Sequence, residues 1–199
     1  MRPVEPVRTA LRGGVLLIQL DGPERFPRLS RSVVAELQQQ FTRINAEPAI
    51  QGVVLTGTER AFAAGAELAE VSTLTPLEAL QFSRLGQNLM HTVERCRVPV
   101  IAAVRGWCLG GGFDLALACH VRIASEDAQF GHPGGSLGLV TGWGGTARLP
   151  RIVGHARALE LLVTGRTLSA REALAWRLVS RITPPGQTLE KVLEFVARP

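Results

Sequence analysis

The sequence predicts an α/β fold built on parallel strands, and three observations carry that prediction. Val15–Leu20 and Gly52–Thr56 are apolar runs of strand length. Between them, Ser30 opens a stretch that puts Val33, Val34, Leu37, Phe41 and Ile44 on one helical face. Strand, helix and strand in that order make a right-handed crossover between a parallel pair. The third observation is the stretch 107–119. It follows the apolar run 98–104, and its three consecutive glycines, 110 to 112, lead into an almost wholly apolar helix over 113–119. The 199 residues are enough for one domain with a real core, read as residues 1–199.

Taken in order, residues 15–20 are read as the first strand, and Asp21-Gly22-Pro23 turns the chain. Arg25, Phe26 and Arg28 sit in the loop that follows, and the helix begun at Ser30 runs to about Ile44. After the strand 52–56, Ala61-Phe62-Ala63-Ala64-Gly65-Ala66-Glu67-Leu68 passes through small residues into a short helix. Thr75-Pro76-Leu77-Glu78 has a Thr cap, Pro at the first helical position and Glu three after the cap, so a helix starts there and runs to Cys96. Strands follow at 100–104 and 121–125, with a short extended piece at 128–131. Residues 132–146 hold six glycines and read as a structured loop of the kind that lines sites. A helix is expected at 156–164, and a second capping box at Ser169 and Glu172 starts another, to about Arg177. A last strand at 179–182, the break Pro184-Pro185-Gly186 and a short helix at 189–196 complete the chain.

Composition narrows the function classes. No apolar run approaches the roughly 18 residues of a membrane span, and the N-terminus lacks the apolar centre of a signal peptide. The expectation is a cytoplasmic protein without a membrane partner. Net charge is +5, and every basic residue but Lys191 is Arg, spread along the chain. Aromatic residues are 5% and Tyr is absent, which argues against nucleic-acid stacking platforms. Arginines also suit a phosphate-bearing small ligand. Cys96, Cys108 and Cys119 form no Cys-x-x-Cys and read as reduced, buried thiols; with the four histidines they show no metal-ligand spacing, so no metal is expected.

The chemistry concentrates in residues 107–119. A helix start carries free N–H groups and partial positive charge, and glycines let a ligand come close to them. This suits negative charge developing on a substrate oxygen. Asp114 is the only charged residue in the apolar helix, one turn in.

Several segments in this order resemble the crotonase family, the enoyl-CoA hydratase/isomerase superfamily. The most specific are Ala61 to Leu68, Pro99-Val100-Ile101-Ala102-Ala103-Val104-Arg105-Gly106, and Leu109-Gly110-Gly111-Gly112-Phe113-Asp114-Leu115-Ala116. Ala128-Gln129-Phe130-Gly131, Gly144-Gly145-Thr146-Ala147-Arg148-Leu149-Pro150, Val163-Thr164-Gly165-Arg166 and Ala173-Leu174-Ala175-Trp176-Arg177-Leu178-Val179 complete the pattern. The resemblance implies a crotonase-like spiral of ββα units, a homo-oligomer (trimer or hexamer), and an acyl-CoA thioester substrate. Coenzyme A would be part of that substrate, with no permanently bound cofactor. It maps the two backbone donors of an oxyanion hole onto Ala66 and Gly111, with Ala64, Gly65 and Gly110 beside the substrate. Two such donors stabilise an enolate oxygen.

The chain also departs from the family pattern. Of the two glutamates that family hydratases resemble one another in using, the first falls at Asp114 and the second at Gly134; a further acidic position falls at Gly142. Asp114 is therefore the proton-transfer candidate. His132 reads either as a base beside the empty position or as a loop residue bonded to a carbonyl. Trp143 reads either as a narrowing of the acyl pocket or as core packing. The loop after the strand at 15–20 lacks the usual basic residue followed by Asn-Ala, which leaves Arg25 and Arg28 for the CoA phosphates. The helices that usually continue the family fold are short or missing before Pro199. The expected function is acyl-CoA chemistry through an enolate, either hydration or isomerisation. The alternatives are thioester decarboxylation and a non-catalytic acyl-CoA-binding homologue.

Overall fold

The computed structural model describes residues 5–196, with the backbone alone at 136 and 137. The chain opens with a hairpin, β1 (Val7–Arg12) and β2 (Val15–Leu20), turned by Gly13 and Gly14 at φ of 52° and 80°. The sequence reading began at β2 and missed β1. Only Val7 of β1 is buried, so the strand carries no hydrophobic alternation to read. α1 (Arg31–Ala46) follows, with the Ser30 hydroxyl accepting from the Val33 N–H and the five expected apolar residues buried.

The middle of the chain repeats one plan. β3 (Gly52–Thr56) and β4 (Ala61–Ala63) lead through α2 (Leu68–Val71) into α3 (Pro76–Glu94). The Thr75 and Glu78 capping box that starts α3 is formed on both sides. β5 (Val100–Val104) and β6 (Trp107–Leu109) then lead into α4 (Gly111–Ala118). β7 (Val121–Ser125) and β8 (Gln129–Gly131) lead through a 3-10 turn, Pro133–Leu137, into α5 (Gly145–Val153) and α6 (His155–Thr164). Each turn of this spiral lays its first strand in one sheet and its second in another. The large sheet has the order β1-β2-β3-β5-β7-β10 and the small one β4-β6-β8-β9. β2 to β10 run parallel in the large sheet, as do β4, β6 and β8 in the small one.

The chain closes with β9 (Thr167–Ser169), α7 (Ala170–Ala175), β10 (Arg181–Thr183) and α8 (Thr188–Val196). α8 is a single short helix. It covers one face of the large sheet, with Val192 against Val15, Leu17, Val54, Ile101 and Ile123. The other face packs α1, α3 and α4 in the main core, through Ile18, Leu20, Leu55, Ala102 and Val104. Burial on both faces explains why these strands are unbroken apolar runs in the sequence.

The reading also missed α5 and the short strands β4, β6 and β9. α5 starts at Gly144 and Gly145, contains Pro150 and buries only four residues, so its sequence reads as a loop. The three strands have three residues each, too few to set a period. The last strand lies at 181–183, displaced from 179–182, because Leu178 and Val179 are core residues of the preceding turn. No described helix is long and apolar enough to cross a membrane.

Candidate active site

The site forms where α4 begins. Gly110 caps the helix at φ of 52° and ψ of −124°, a backbone geometry open to glycine and strained for other residues. Gly111 is the first helical residue, so its N–H has no partner within the helix. Gly112 lies against β4: a methyl group there would sit 2.4 Å from the Ala63 carbonyl oxygen. At the opposite end Arg122 donates to the carbonyls of Ala116 and Cys119, at 3.1 and 2.6 Å, and stabilises the negative pole of the helix.

The segment after β4 meets this helix start. Gly65 is at φ of 100°, and a methyl group on it would lie 3.5 Å from the Gly111 nitrogen and 3.6 Å from the Gly110 Cα. Ala64 is held to the preceding loop, its N–H donating to Pro27 at 2.8 Å, while the Gly65 carbonyl accepts from Leu29. Among the described residues the Ala66 N–H donates to no turn or loop carbonyl. The N–H groups of Ala66 and Gly111 thus belong to two backbone segments that touch each other at one rim of a cleft.

Asp114, fully buried, is one turn into α4. Its carboxylate accepts a hydrogen bond from the Thr141 hydroxyl. His132, 4% exposed, brings Nε2 to 3.3 Å from Asp114 Oδ1. The ring is not aligned for a hydrogen bond, and both its nitrogens lack one, as does Asp114 Oδ1. Burial raises the Asp114 pKa to about 6; the Thr141 hydroxyl, the backbone N–H groups of Trp143 and Gly145 and the charge of Arg148 pull the other way. Burial also lowers the His132 pKa to about 4. Above both values the pair is a carboxylate beside a neutral imidazole. Gly145 makes their approach possible, since a methyl group there would lie 2.2 Å from Asp114 Oδ1 and 2.8 Å from His132 Nε2.

The cleft in front of these groups has a volume of about 330 Å³, within the range of small-ligand sites. Ala64, Gly65, Ala66, Gly110, Gly111, Asp114, His132, Gly134 and Trp143, all expected from the sequence, line it together. Gly142 lines it too, and Asp114 is the one carboxylate among the described lining residues. Gly134 lies in the 3-10 turn, where its carbonyl accepts from Leu139 at 2.8 Å. Arg25 and Arg28 do not line the cleft. Arg28 pairs with Glu67 at 2.9 Å, next to Ala66, and Arg25 lies in the loop before it at φ of 63°.

Sequence reasoning missed Thr141, Phe82, Ser83 and Leu139, which also line the cleft. Thr141 sits in the glycine-rich segment, where no periodicity marks a side chain as inward. The spacing of Phe82 from Gly86 on α3 was a usable signal, since both fall on that helix's buried face. The three cysteines are buried and unpaired, and burial pushes the Cys119 thiol up to about 12.

Comparison with known proteins agrees with the spiral fold. Residues 10–198 match the family model described as enoyl-CoA hydratase/isomerase. The chain is 37% identical to a crotonyl-CoA hydratase of Syntrophomonas wolfei over 183 residues, covering 92% of this chain and 70% of that protein. It is 40% identical to a probable enoyl-CoA hydratase of Rhizobium meliloti, covering 95% and 73% respectively. The crystal structure of an enoyl-CoA hydratase from Bacillus anthracis superposes with a TM-score of 0.93 at 38% identity, covering 96% of this chain and 75% of that one. A family model matched over nearly the whole chain, close relatives at this identity and a shared backbone lead to one conclusion: the chain belongs to the enoyl-CoA hydratase/isomerase family, the crotonase superfamily.

Proposed function

We propose that the chain acts on short 2-enoyl-CoA thioesters and adds water across the double bond. The observation that carries this is the buried Asp114–His132 pair beside the backbone N–H groups of Ala66 and Gly111, for which no hydrogen-bond partner is found among the described residues. The thioester oxygen accepts from those two N–H groups. A water on the cleft side of Asp114 and His132 attacks the β-carbon, and its proton passes to the Asp114 carboxylate. The double-bond electrons move to the thioester oxygen as an enolate, which the donors stabilise; losing one donor of this kind costs about 3–4 kcal/mol of barrier. Asp114 then returns the proton to the α-carbon. Neutral His132 orients the water by hydrogen bonding and needs no charge change.

In this reading coenzyme A is part of the substrate and no cofactor stays bound. Arg25 and Arg28 are near the CoA end, with Arg28 able to leave its exposed pair with Glu67 for a phosphate. The protein is a cytoplasmic homo-oligomer, trimer or hexamer, with the exposed Leu68, Leu77 and Leu80 beside the cleft as candidates for the covered face.

A second reading, double-bond isomerisation, is favoured by Asp114 being the one carboxylate among the described lining residues. A single base that moves a proton between carbons needs no second one. Incubating the protein with crotonyl-CoA in heavy water separates the readings. Hydration that is abolished by Asp114→Asn supports the first. Deuterium uptake without hydration supports the second. Decarboxylation of a malonyl-type thioester without either, or thioester binding with no reaction at all, overturns both.

A further inference from the structure

We propose that Trp143 is the end wall of the acyl pocket, restricting the site to short acyl chains; this rests on the cleft being an acyl-CoA site. The indole fills space that two glycines leave on facing helices. A methyl group on Gly86 of α3 would lie 2.2 Å from Trp143 Nε1, and one on Gly111 of α4 would lie 2.5 Å from Cζ3. The ring therefore spans from α3 to the first residue of α4. Phe82 backs it from α3, with ring centroids 5.3 Å apart and planes at 66°.

The wall is fixed as well as close. Arg148, itself buried, donates to the Trp143 carbonyl at 3.2 Å and to Glu94 of α3 at 2.7 Å. Moving the backbone under the indole would break bonds to a buried guanidinium, and a packed interior transmits such a shift rather than absorbing it. Gly111 is also the proposed donor to the thioester oxygen. An acyl chain whose carbonyl sits at the Gly111 N–H therefore meets, within a few atoms, the ring packed on that same glycine. Trp143 is 4% exposed and still lines the cleft, so one edge of the ring faces the chain.

The test uses the full chain and two saturated, unreactive ligands, butyryl-CoA and decanoyl-CoA, titrated by calorimetry. In the protein as it stands butyryl-CoA binds the more tightly. Trp143→Ala shifts the ratio of the two Kd values at least tenfold toward decanoyl-CoA, and Trp143→Leu shifts it less, which covers the case where the alanine variant fails to fold. Adding Gly86→Leu to Trp143→Ala refills the space from α3 and returns the preference to butyryl-CoA, a rescue that lost packing alone would not produce. An unchanged ratio in Trp143→Ala and Trp143→Leu, with both ligands bound, overturns the proposal and leaves the acyl-CoA reading standing. So does tighter binding of decanoyl-CoA by the unaltered protein, whose chain would then leave past Leu139 and Val140. Binding of neither thioester overturns both.

Discussion

His132 Nε2 stands 3.3 Å from Asp114 Oδ1, inside a wall where neither atom has a hydrogen-bond partner. Burial shifts the two groups in opposite directions, the acid up to about 6 and the imidazole down to about 4. Asp114 acts as a base only when ionised, so kcat/KM should fall as pH drops through about 6. His132 is already neutral there and adds no second limb. A pH–rate profile checks this; a profile flat through that region contradicts Asp114 as the base.

Thr141 tunes that limb. Its hydroxyl donates to the Asp114 carboxylate and so favours the ionised form. Thr141→Val removes the donor, and the acid limb should move above its place in the unaltered protein. The same profile measures it, and kcat above the limb should fall less than at its midpoint.

The burial of Asp114 also has a signature in stability. A folded-state pKa above the ordinary 3.8 stabilises the fold at low pH, and that contribution is lost as pH rises through about 6. Asp114→Asn removes the linkage. Relative to the unaltered protein, the variant should gain stability between acid and neutral pH, approaching about 3 kcal/mol. His132 contributes the opposite trend, so the comparison is repeated in a His132→Gln background, where that trend is absent from both proteins. Urea titrations at several pH values check the difference; a gap independent of pH contradicts a raised Asp114 pKa.

Gly145→Ala tests the closeness of the pair without removing either group. The added methyl would overlap Asp114 Oδ1 and crowd His132 Nε2. The expected outcome is a drop in kcat of at least about tenfold, with a stability loss of about 1–3 kcal/mol from overpacking. Steady-state kinetics and thermal melts together check it.

How much of this was legible in the residues differs from element to element. α1, α3 and α7 announce themselves through Ser30, the Thr75–Glu78 box and the Ser169–Glu172 box, because a cap is a local hydrogen bond that a few residues encode. The parallel core strands are legible as apolar runs because both faces are buried. β1 and α5 were not: one is exposed along most of its length, and the other is held by Arg148, Leu149 and Val153 reaching distant partners. In the site, Gly111 and Asp114 could be read from one contiguous stretch. The approach of His132 to Asp114 depends on the missing side chain of Gly145 and on how the 3-10 turn folds back, and neither shows in local spacing.

The central claim is that the backbone N–H groups of Ala66 and Gly111 hold the thioester oxygen. The most direct measurement is infrared difference spectroscopy of crotonyl-CoA carrying a ¹³C label at the thioester carbonyl, bound to the Asp114→Asn protein so that no turnover intervenes. Two donors at the oxygen weaken the C=O bond, so the labelled band should move to lower frequency than in water. A bound substrate whose carbonyl band stays at or above its solution frequency would contradict the account.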